Sequence, residues 1–360
     1  MRLDPPRPAS PRRTRVLVVD DSPTQRAILV ALLASDPELE VVGWAANGEE
    51  AVRAAARLRP DVITMDLRMP VMDGLEATRR IMHETPTPIV MVTASASGRD
   101  RDLAFAALDA GVLAFVPKPA LAAAGGPAAD DLVRTVKSMA AVKVIRRWAP
   151  ERLTHPPAAL PAAPAPAHGR PPALVAIGAS TGGPQALHEI LTRLPATFPL
   201  PIVVVQHIAE GFAAGLVDWL RPLCALPIQL ATPGAALDRP AVHVAPTGRH
   251  LVVRGRALAL SDEAPVSGHR PSATVLFRSV AQEHGGRAIG VLLSGMGDDG
   301  AAGLRDLKRA GGVTIAQDEA SSVVFGMPAV AIGMGVVDHV LPPSAIPALL
   351  AQLAAGRARG

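Results

Sequence analysis

The chain has 360 residues, of which 49% are hydrophobic, 19% charged and 2% aromatic, and its net charge is +4. This length is sufficient for about two domains. The one cysteine, Cys224, excludes an intramolecular disulfide framework and suits a cytoplasmic protein. The arginines are scattered and not interleaved with aromatic residues, which argues against nucleic-acid binding, and no apolar stretch is long enough to insert into a membrane.

The first part of the chain predicts a disordered tail followed by an α/β domain. Residues 1–14 are rich in proline and arginine and lack the apolar region of a signal peptide. Across residues 15–147, short apolar runs alternate with helical patterns, which predicts βαβ units around a parallel sheet. The expected strands are Val16–Val19, Val41–Trp44, Val62–Met65, Ile89–Val92 and Leu113–Val116.

Polar residues follow four of these expected strands. Asp20 and Asp21 come after the first strand, and Asp66 follows the third. Since the carboxyl ends of adjacent parallel strands meet where α/β sheets bind ligands, the carboxylates should cluster around a hard cation such as Mg²⁺. Thr93 closes the fourth strand and Lys118 follows the fifth, so a hydroxyl and an ammonium could clamp a phosphoryl group there.

An ordinary alternative is that the two adjacent aspartates are helix caps and that Lys118 is solvated. One acidic strand end would favour this alternative, whereas matching residues at several strand ends do not. The pattern over residues 15–147 resembles the receiver domain of two-component response regulators, which have a flavodoxin-like doubly wound fold. The matching motifs are Asp20-Asp21, Met65-Asp66-Leu-Arg-Met-Pro70, Asp73-Gly74, Thr93 and Lys118-Pro119.

This resemblance implies roles for individual receiver residues. Asp66 would accept a phosphoryl group from a histidine kinase. Asp21, Asp66 and the backbone carbonyl of Arg68 would hold Mg²⁺, with Asp20 nearby through water. The switch residues would be Thr93, Phe115 and Lys118.

Two further segments complete the predicted organisation. Residues 148–172 are rich in proline and alanine, a composition that favours an extended, semi-rigid linker. From residue 173 to 356 a second α/β pattern follows, which predicts another doubly wound parallel sheet. Its clearest strands are Ala173–Ile177, Ile202–Val205 and Ile289–Leu293.

A serine lies on a glycine-rich turn directly after the first strand of this second half. The stretch Gly178-Ala-Ser-Thr-Gly-Gly183 precedes a segment with apolar residues at helical spacing. The Gly-x-Ser-x-Gly pattern fits a nucleophile elbow, in which Ser180 stands on a strand-to-helix turn beside free N–H groups. A phosphate-binding turn is the alternative, and the turn alone does not decide between them.

A serine nucleophile needs a base, and the base needs a group that orients it. His207 ends the strand that begins at Pro201, and Asp298 and Asp299 follow the strand that begins at Ala288. These positions predict a Ser-His-Asp triad at strand ends, in a chain order different from that of α/β-hydrolases. Taken singly, the histidine could be structural and the aspartates could be turn residues.

The whole chain resembles the CheB family of chemotaxis protein-glutamate methylesterases, in which a receiver, a linker and an esterase domain follow in this order. By this resemblance, Ser180 is the nucleophile, His207 the base and Asp299 the orienting acid. The backbone N–H of Met296 would contribute to the oxyanion hole, and Thr181 would line the site. The matching motifs are Gly178-Ala-Ser-Thr-Gly-Gly183, Val205-Gln-His207, His269-Arg-Pro-Ser272, Leu292-Leu-Ser-Gly-Met-Gly-Asp-Asp-Gly300 and Gln317-Asp-Glu-Ala-Ser-Ser-Val-Val-Phe-Gly-Met-Pro328.

The resemblance implies a phosphorylation-regulated hydrolase that demethylates glutamate esters on methyl-accepting chemoreceptors and deamidates receptor glutamines. It implies a cytoplasmic monomer that takes its phosphoryl group from a chemotaxis histidine kinase, uses Mg²⁺ in the receiver and needs no cofactor for ester hydrolysis. Three alternatives are a DNA-binding response regulator, an output domain that has lost catalysis, and a hydrolase of another ester. The length and strand content of the second half argue against the first, and the three predicted triad residues argue against the second.

Overall fold

A computed structural model describes residues 12–93, 105–108, 110–119, 126–142 and 171–355. The predicted tail up to residue 11 and the predicted linker up to residue 170 lie outside the described residues. The described residues group into two compact units, and the short stretch 105–108 groups with the second. The predicted domain boundaries stay predictions. Among the described residues, no helix is both long and apolar enough to cross a membrane.

The first unit is a five-stranded parallel sheet with helices between the strands. The strand order is 2-1-3-4-5, the flavodoxin-like doubly wound order, which places the topological switch point between the first and third strands. Each expected strand is present, with its ends shifted by no more than about two residues. The elements are β1 (Thr14–Val19), α1 (Pro23–Ala34), β2 (Leu39–Ala45), α2 (Gly48–Leu58), β3 (Val62–Asp66), α3 (Gly74–Glu84), β4 (Ile89–Thr93), β5 (Ala114–Pro117) and α4 (Pro127–Ala140).

Side-chain caps start three helices of this unit just past the strand ends. Ser22, Asn47 and Asp73 accept hydrogen bonds from backbone N–H groups at the starts of α1, α2 and α3. A Cβ on Gly74 would lie 2.1 Å from the carbonyl oxygen of Asp66, so only glycine allows α3 to begin this close to β3. The caps and this glycine hold the helix starts at the edge that carries the aspartates.

The second unit is built on a seven-stranded parallel sheet in the order β14-β13-β12-β6-β7-β9-β8. Its strands are β6 (Leu174–Ala179), β7 (Ile202–Gln206), β8 (Ile228–Leu230), β9 (Val242–Val244), β12 (Ala288–Leu292), β13 (Val313–Gln317) and β14 (His339–Leu341), beside an antiparallel ribbon of β10 (His250–Arg254) and β11 (Ala257–Ser261). The helices are α5 (Gly183–Leu191), α6 (Phe212–Leu220), α7 (Ala273–His284), α8 (Ala301–Arg309), α9 (Met327–Gly333) and α10 (Ile346–Ala355).

The chain order runs outward from β12 on one side and from β6 on the other, except that β8 lies outside β9, so the switch point of this sheet lies between β6 and β12. Every residue of β6, β7 and β12 is buried, as expected for strands that helices cover on both faces. The predicted fold class, two consecutive doubly wound α/β sheets, is therefore confirmed. The ribbon of β10 and β11 and the short strands at the sheet edges were not predicted.

Candidate active site and phosphoacceptor site

Ser180 is the first residue after β6 and is buried in the turn that leads into α5. Its N–H donates to the carbonyl of Ser294 at 3.0 Å, and its own carbonyl accepts from the N–H of Gly183 at 2.8 Å. Gly182 has φ +77°, and a Cβ on Gly183 would lie 2.1 Å from Oε1 of Gln206. The turn therefore requires glycine at both positions. Gly182 is needed because its φ is positive, and Gly183 because Gln206 lies too close to leave room for a Cβ.

Gln206, the last residue of β7, connects the backbones of two predicted triad residues. Its Nε2 donates to the carbonyl of Ser180 at 2.7 Å and to the carbonyl of His207 at 2.9 Å. The side chain is 2% exposed, so these hydrogen bonds are shielded from water. No role for Gln206 is predicted from the sequence, although the residue forms part of the Val205-Gln-His207 motif.

His207 and Asp299 form a buried hydrogen-bonded pair. Nε2 of His207 lies 2.9 Å from Oδ2 of Asp299, and the two side chains are 8% and 1% exposed. The N–H of His207 donates to the carbonyl of Ala179 at 2.9 Å, which holds the histidine beside the residue that precedes Ser180. The structure therefore brings all three predicted triad residues to one edge of the sheet.

Asp299 is fixed by the start of α7. Oδ1 accepts from Oγ of Ser272 at 2.7 Å and from the N–H of Thr274 at 3.1 Å, and Oδ2 accepts from the N–H of Ala273 at 2.7 Å. Burial alone raises the pKa of the Asp299 carboxyl, but hydrogen bonds from His207, Ser272 and Thr274 outweigh it and hold the pKa well below its usual range. The neighbouring Asp298 is exposed and makes none of these contacts with α7.

The charge on Asp299 determines which nitrogen of His207 carries the proton. An ionised carboxylate only accepts hydrogen bonds, so Nε2 must be the donor in this pair. Nδ1 then has a free lone pair, and this buried atom has no hydrogen-bond partner among the residues that the structure describes. Nδ1 is accordingly the nitrogen that can accept a proton.

The loop after β12 packs directly against the serine. A Cβ on Gly295 would lie 2.6 Å from Cβ of Ser180, so the backbone of this loop approaches the serine as closely as sterics allow. Met296, the predicted oxyanion residue, is the next residue along this loop and is partly buried. The carbonyl of Thr181 accepts from Oγ of Ser294 at 2.7 Å, which ties the serine turn to the same loop.

A second histidine, which the sequence analysis did not assign to the site, lies against the predicted base. The rings of His207 and His269 are stacked with 3.9 Å between centroids and 10° between planes. His269 stands on the loop between β11 and α7, three residues before Ser272. The only sequence signal was the His269-Arg-Pro-Ser272 motif.

In the first unit, Lys118 bridges two buried carboxylates. Its Nζ lies 2.8 Å from Oδ2 of Asp20 and 2.7 Å from Oδ2 of Asp66. Burial raises the pKa of Asp66, and although burial lowers the pKa of Lys118, its contacts with both aspartates raise that pKa overall. With the exposed Asp21, the two aspartates offer oxygen atoms that all lie within 4.8 Å of one another, a donor set that fits a hard cation.

The other predicted receiver residues lie on β4, on β5 and in the loop after β3. Thr93 is buried at the end of β4, and the carbonyl of Thr93 accepts from the N–H of Lys118 at 2.9 Å. Phe115 pairs in register with Met91, so the side chains of Phe115 and Thr93 lie on the same face of the sheet. Arg68 is exposed in the loop that follows β3.

Comparisons with known proteins give matches to both units. A family model described as CheB methylesterase matches residues 175–350, and a response regulator receiver domain model matches residues 16–124. The protein-glutamate methylesterase/protein-glutamine glutaminase 3 of Anaeromyxobacter dehalogenans is 52% identical over 338 residues, which cover 92% of this chain and 96% of the relative. The corresponding protein 4 of Myxococcus xanthus is 50% identical over 348 residues, covering 94% and 96%.

A solved structure also matches the second unit. The catalytic domain of the Thermotoga maritima CheB methylesterase superposes with a TM-score of 0.50 and 36% sequence identity. The match covers 51% of this chain and 98% of that domain.

Proposed function

The chain belongs to the CheB family of protein-glutamate methylesterases/protein-glutamine glutaminases, and on this basis we propose that it demethylates glutamate methyl esters on chemoreceptors under the control of receiver phosphorylation. The observation that carries the proposal is the convergence of Ser180, His207 and Asp299. Ser180 lies on a strand-to-helix turn, and the other two form a buried pair with 2.9 Å between Nε2 and Oδ2. The substrate would lie on the cytoplasmic region of methyl-accepting receptors, so the protein would act in the cytoplasm, and the family resemblance favours a monomer.

The reaction begins with attack of the serine on the ester carbonyl, which gives a tetrahedral intermediate. Oγ of Ser180 attacks the γ-carbonyl of the methylated glutamate as Nδ1 of His207 takes the hydroxyl proton. The imidazolium that forms is stabilised by the Asp299 carboxylate through Nε2. The negative charge on the carbonyl oxygen is stabilised by backbone N–H groups, to which Met296 contributes, while Thr181 lines the site.

Breakdown of the tetrahedral intermediate forms the acyl-serine: His207 gives its proton to the methoxy oxygen, the C–O bond breaks and methanol leaves. Water then attacks the acyl-serine while Nδ1 of His207 takes a proton from it. His207 passes that proton to Oγ of Ser180 as the acyl C–O bond breaks, which yields free glutamate and restores Ser180. Deamidation of a receptor glutamine would follow the same steps with ammonia as the leaving group. The chemistry therefore needs no cofactor.

The receiver would control access to this chemistry. Asp66 would accept a phosphoryl group from a chemotaxis histidine kinase, and Asp21, Asp66 and the Arg68 carbonyl would hold Mg²⁺, with Asp20 nearby. The cation would neutralise charge on the transferred phosphoryl oxygens. Lys118 is already held by the Asp66 carboxylate at 2.7 Å, where it can pair with a phosphoryl oxygen, and Thr93 and Phe115 would report phosphorylation as switch residues.

Methanol release from methylated chemoreceptor membranes tests the proposal. We expect the full chain to release methanol, the rate to rise with a small-molecule phosphodonor and Mg²⁺, and the Ser180→Ala variant to release none. A folded chain that reacts with an active-site serine probe but releases no methanol would instead be a hydrolase of another ester.

A further inference from the structure

We propose that His269 is a positioning residue for the predicted base, an inference that rests on the proposed function of Ser180 and His207. The two imidazole rings are nearly parallel, with 10° between their planes and 3.9 Å between their centroids. This separation is shorter than the roughly 4.5–7 Å usual for aromatic pairs, so the two rings are in direct face-to-face contact. His269 therefore covers one whole face of His207.

The hydrogen bond to Asp299 leaves part of the orientation of His207 undetermined. That bond fixes the position of Nε2, whereas rotation of the ring about the Cβ–Cγ bond changes the direction of the Nδ1 lone pair. A flat ring packed against the face of the imidazole restricts this rotation. Because Nδ1 is the nitrogen that must meet the hydroxyl of Ser180, this restriction acts on the reacting geometry.

The loop that carries His269 is itself built to hold the ring in place. Val266 and His269 exchange two backbone hydrogen bonds, of 3.1 and 2.9 Å, across a turn in which Ser267 and Gly268 have φ of +51° and +77°. Two positive φ values are the mark of a tight type I′ turn. Nη1 of Arg270 donates to the carbonyls of Asp262 and Glu263, each at 3.2 Å.

Two further contacts tie this loop to the ribbon of β10 and β11. The buried His250 places Nε2 3.1 Å from the carbonyl of Ala264, and the N–H of Gly248 donates to the carbonyl of Arg270 at 3.1 Å. The loop is thus held at both of its ends. Its position over His207 does not depend on the stacking contact alone, so the loop can impose an orientation on the base.

The same segment also contacts Asp299, the residue that is hydrogen-bonded to Nε2 of His207. Three residues after His269, Ser272 donates to Asp299 at 2.7 Å and begins α7. One short stretch of chain therefore holds the ring face of His207 through His269 and the Nε2 edge through Asp299. Movement of this stretch would disturb both contacts together.

In this proposal the flat surface of the His269 ring restricts His207, and the ring nitrogens of His269 do not. A benzene ring offers the same flat surface and a π face, but it has no ring nitrogen. Phe at this position should therefore preserve the role of His269, whereas a side chain without a ring should not.

The test compares three full-length variants, His269→Phe, His269→Ala and His269→Gln. Two rates are measured for each: kcat and KM for methanol release, and the rate at which a fluorophosphonate labels Ser180. The matched controls are His284→Phe and His284→Ala, because His284 is partly buried like His269 but lies at the far end of α7. Thermal unfolding identifies any variant that does not fold, and the Gln variant replaces the Ala variant in that case.

We expect kcat and the labelling rate to fall by about 10- to 100-fold in the Ala and Gln variants with little change in KM, as for a small misplacement of a reacting group. The Phe variant should stay within about threefold of the parent, as should both His284 controls. An unchanged kcat in folded Ala and Gln variants would overturn the proposal. So would a Phe variant as slow as the Ala variant, or a change confined to KM.

The two assays separate this proposal from the proposed function. Fluorophosphonate labelling depends on the nucleophile and its base but not on a receptor substrate. If the parent chain labels at Ser180 but releases no methanol, the proposed substrate is wrong, and the labelling rates of the variants still decide the role of His269. If labelling is slowed only in variants that lack a ring, the proposal holds for whichever ester is the substrate.

Discussion

At the scale of single residues, the geometry of the site depends on side chains that form hydrogen bonds with several neighbours at once. Asp299 accepts four hydrogen bonds, from His207, Ser272, Ala273 and Thr274. All of its partners are donors, so a carboxylate suits the position and a group that carries its own N–H does not. Burial raises the pKa of Asp299, but the hydrogen bonds from His207, Ser272 and Thr274 outweigh it and keep the pKa low, so the carboxylate retains its charge.

Replacement of the carboxylate by an amide tests this reading. We expect Asp299→Asn to lower kcat on the order of 10⁴-fold, the loss seen when serine proteases lose the charge of their triad aspartate. Either orientation of the amide turns its NH₂ group toward a backbone N–H, of Ala273 or of Thr274, so stability should also fall by about 1–3 kcal/mol. The measurements are methanol release and thermal unfolding, and a fully active Asn variant would show that Asp299 is not the orienting acid.

Gln206 provides a second prediction at this scale. Gln206→Met keeps the side-chain volume but removes both N–H donors. The carbonyls of Ser180 and His207 then each lose a hydrogen bond, so the serine turn is held less firmly. We expect a destabilisation of about 1–3 kcal/mol and slower fluorophosphonate labelling of Ser180. The control is Gln229→Met, because Gln229 lies on β8 and contacts His243 at 3.4 Å, away from the serine turn. Equal labelling rates in the two variants would contradict a positioning role for Gln206.

At the scale of secondary structure, the start of α7 performs two tasks. Its N-cap residue, Ser272, accepts from the N–H of Val275 at 3.3 Å and donates to Asp299 at 2.7 Å. The first free N–H groups of the helix also point at Asp299, which is where a helix attracts negative charge. The helix therefore orients the carboxylate of Asp299, the predicted orienting acid.

The double role of the cap leads to a prediction about Ser272→Ala. Loss of the cap should destabilise the protein by about 0.5–2 kcal/mol, and loss of the hydrogen bond to Asp299 should lower kcat with little change in KM. Asn47→Ala is the matched control, since Asn47 caps α2 in the first unit through the N–H of Glu50 at 3.0 Å. The control should lose stability and keep the labelling rate of Ser180. If Ser272→Ala also keeps that rate, the cap has a structural role alone.

At the scale of the whole molecule, one architectural rule is used twice. Each unit has a parallel sheet, and in each the chemically distinctive side chains stand at the carboxyl edge beside a topological switch point. In the first unit these are the aspartates around Lys118, and in the second they are Ser180 and His207. The proposal assigns a cation to the first edge only.

This assignment predicts different effects of metal removal on basal and stimulated activity. A chelator should abolish the stimulation of methanol release by a phosphodonor and leave the Ser180-dependent basal rate unchanged. Asp66→Asn should behave in the same way without a chelator, because it removes the phosphoryl acceptor. If the chelator removed basal activity as well, ester hydrolysis would need a metal and the proposed division between the two sites would be wrong.

The sequence by itself determined the fold class and which residues stand at strand ends. Apolar runs bounded by Asp20, Asp66, Ser180 and His207 are local signals, and parallel strands necessarily bring such ends to one edge. The glycine pattern around Ser180 likewise predicted a tight turn, because φ and close approach are local requirements. The catalytic and phosphorylation roles of these residues stay predictions for the experiments above.

Only the tertiary structure decided how these groups face one another. Asp298 and Asp299 are adjacent in sequence, but one is exposed while the other is enclosed by α7, a helix that begins 26 residues earlier. The choice of Nε2 as the donor in His207, the bridge made by Gln206 and the ring of His269 all depend on packing between distant segments. Side-chain orientation is set by such non-local contacts, and no local pattern of residue types encodes it.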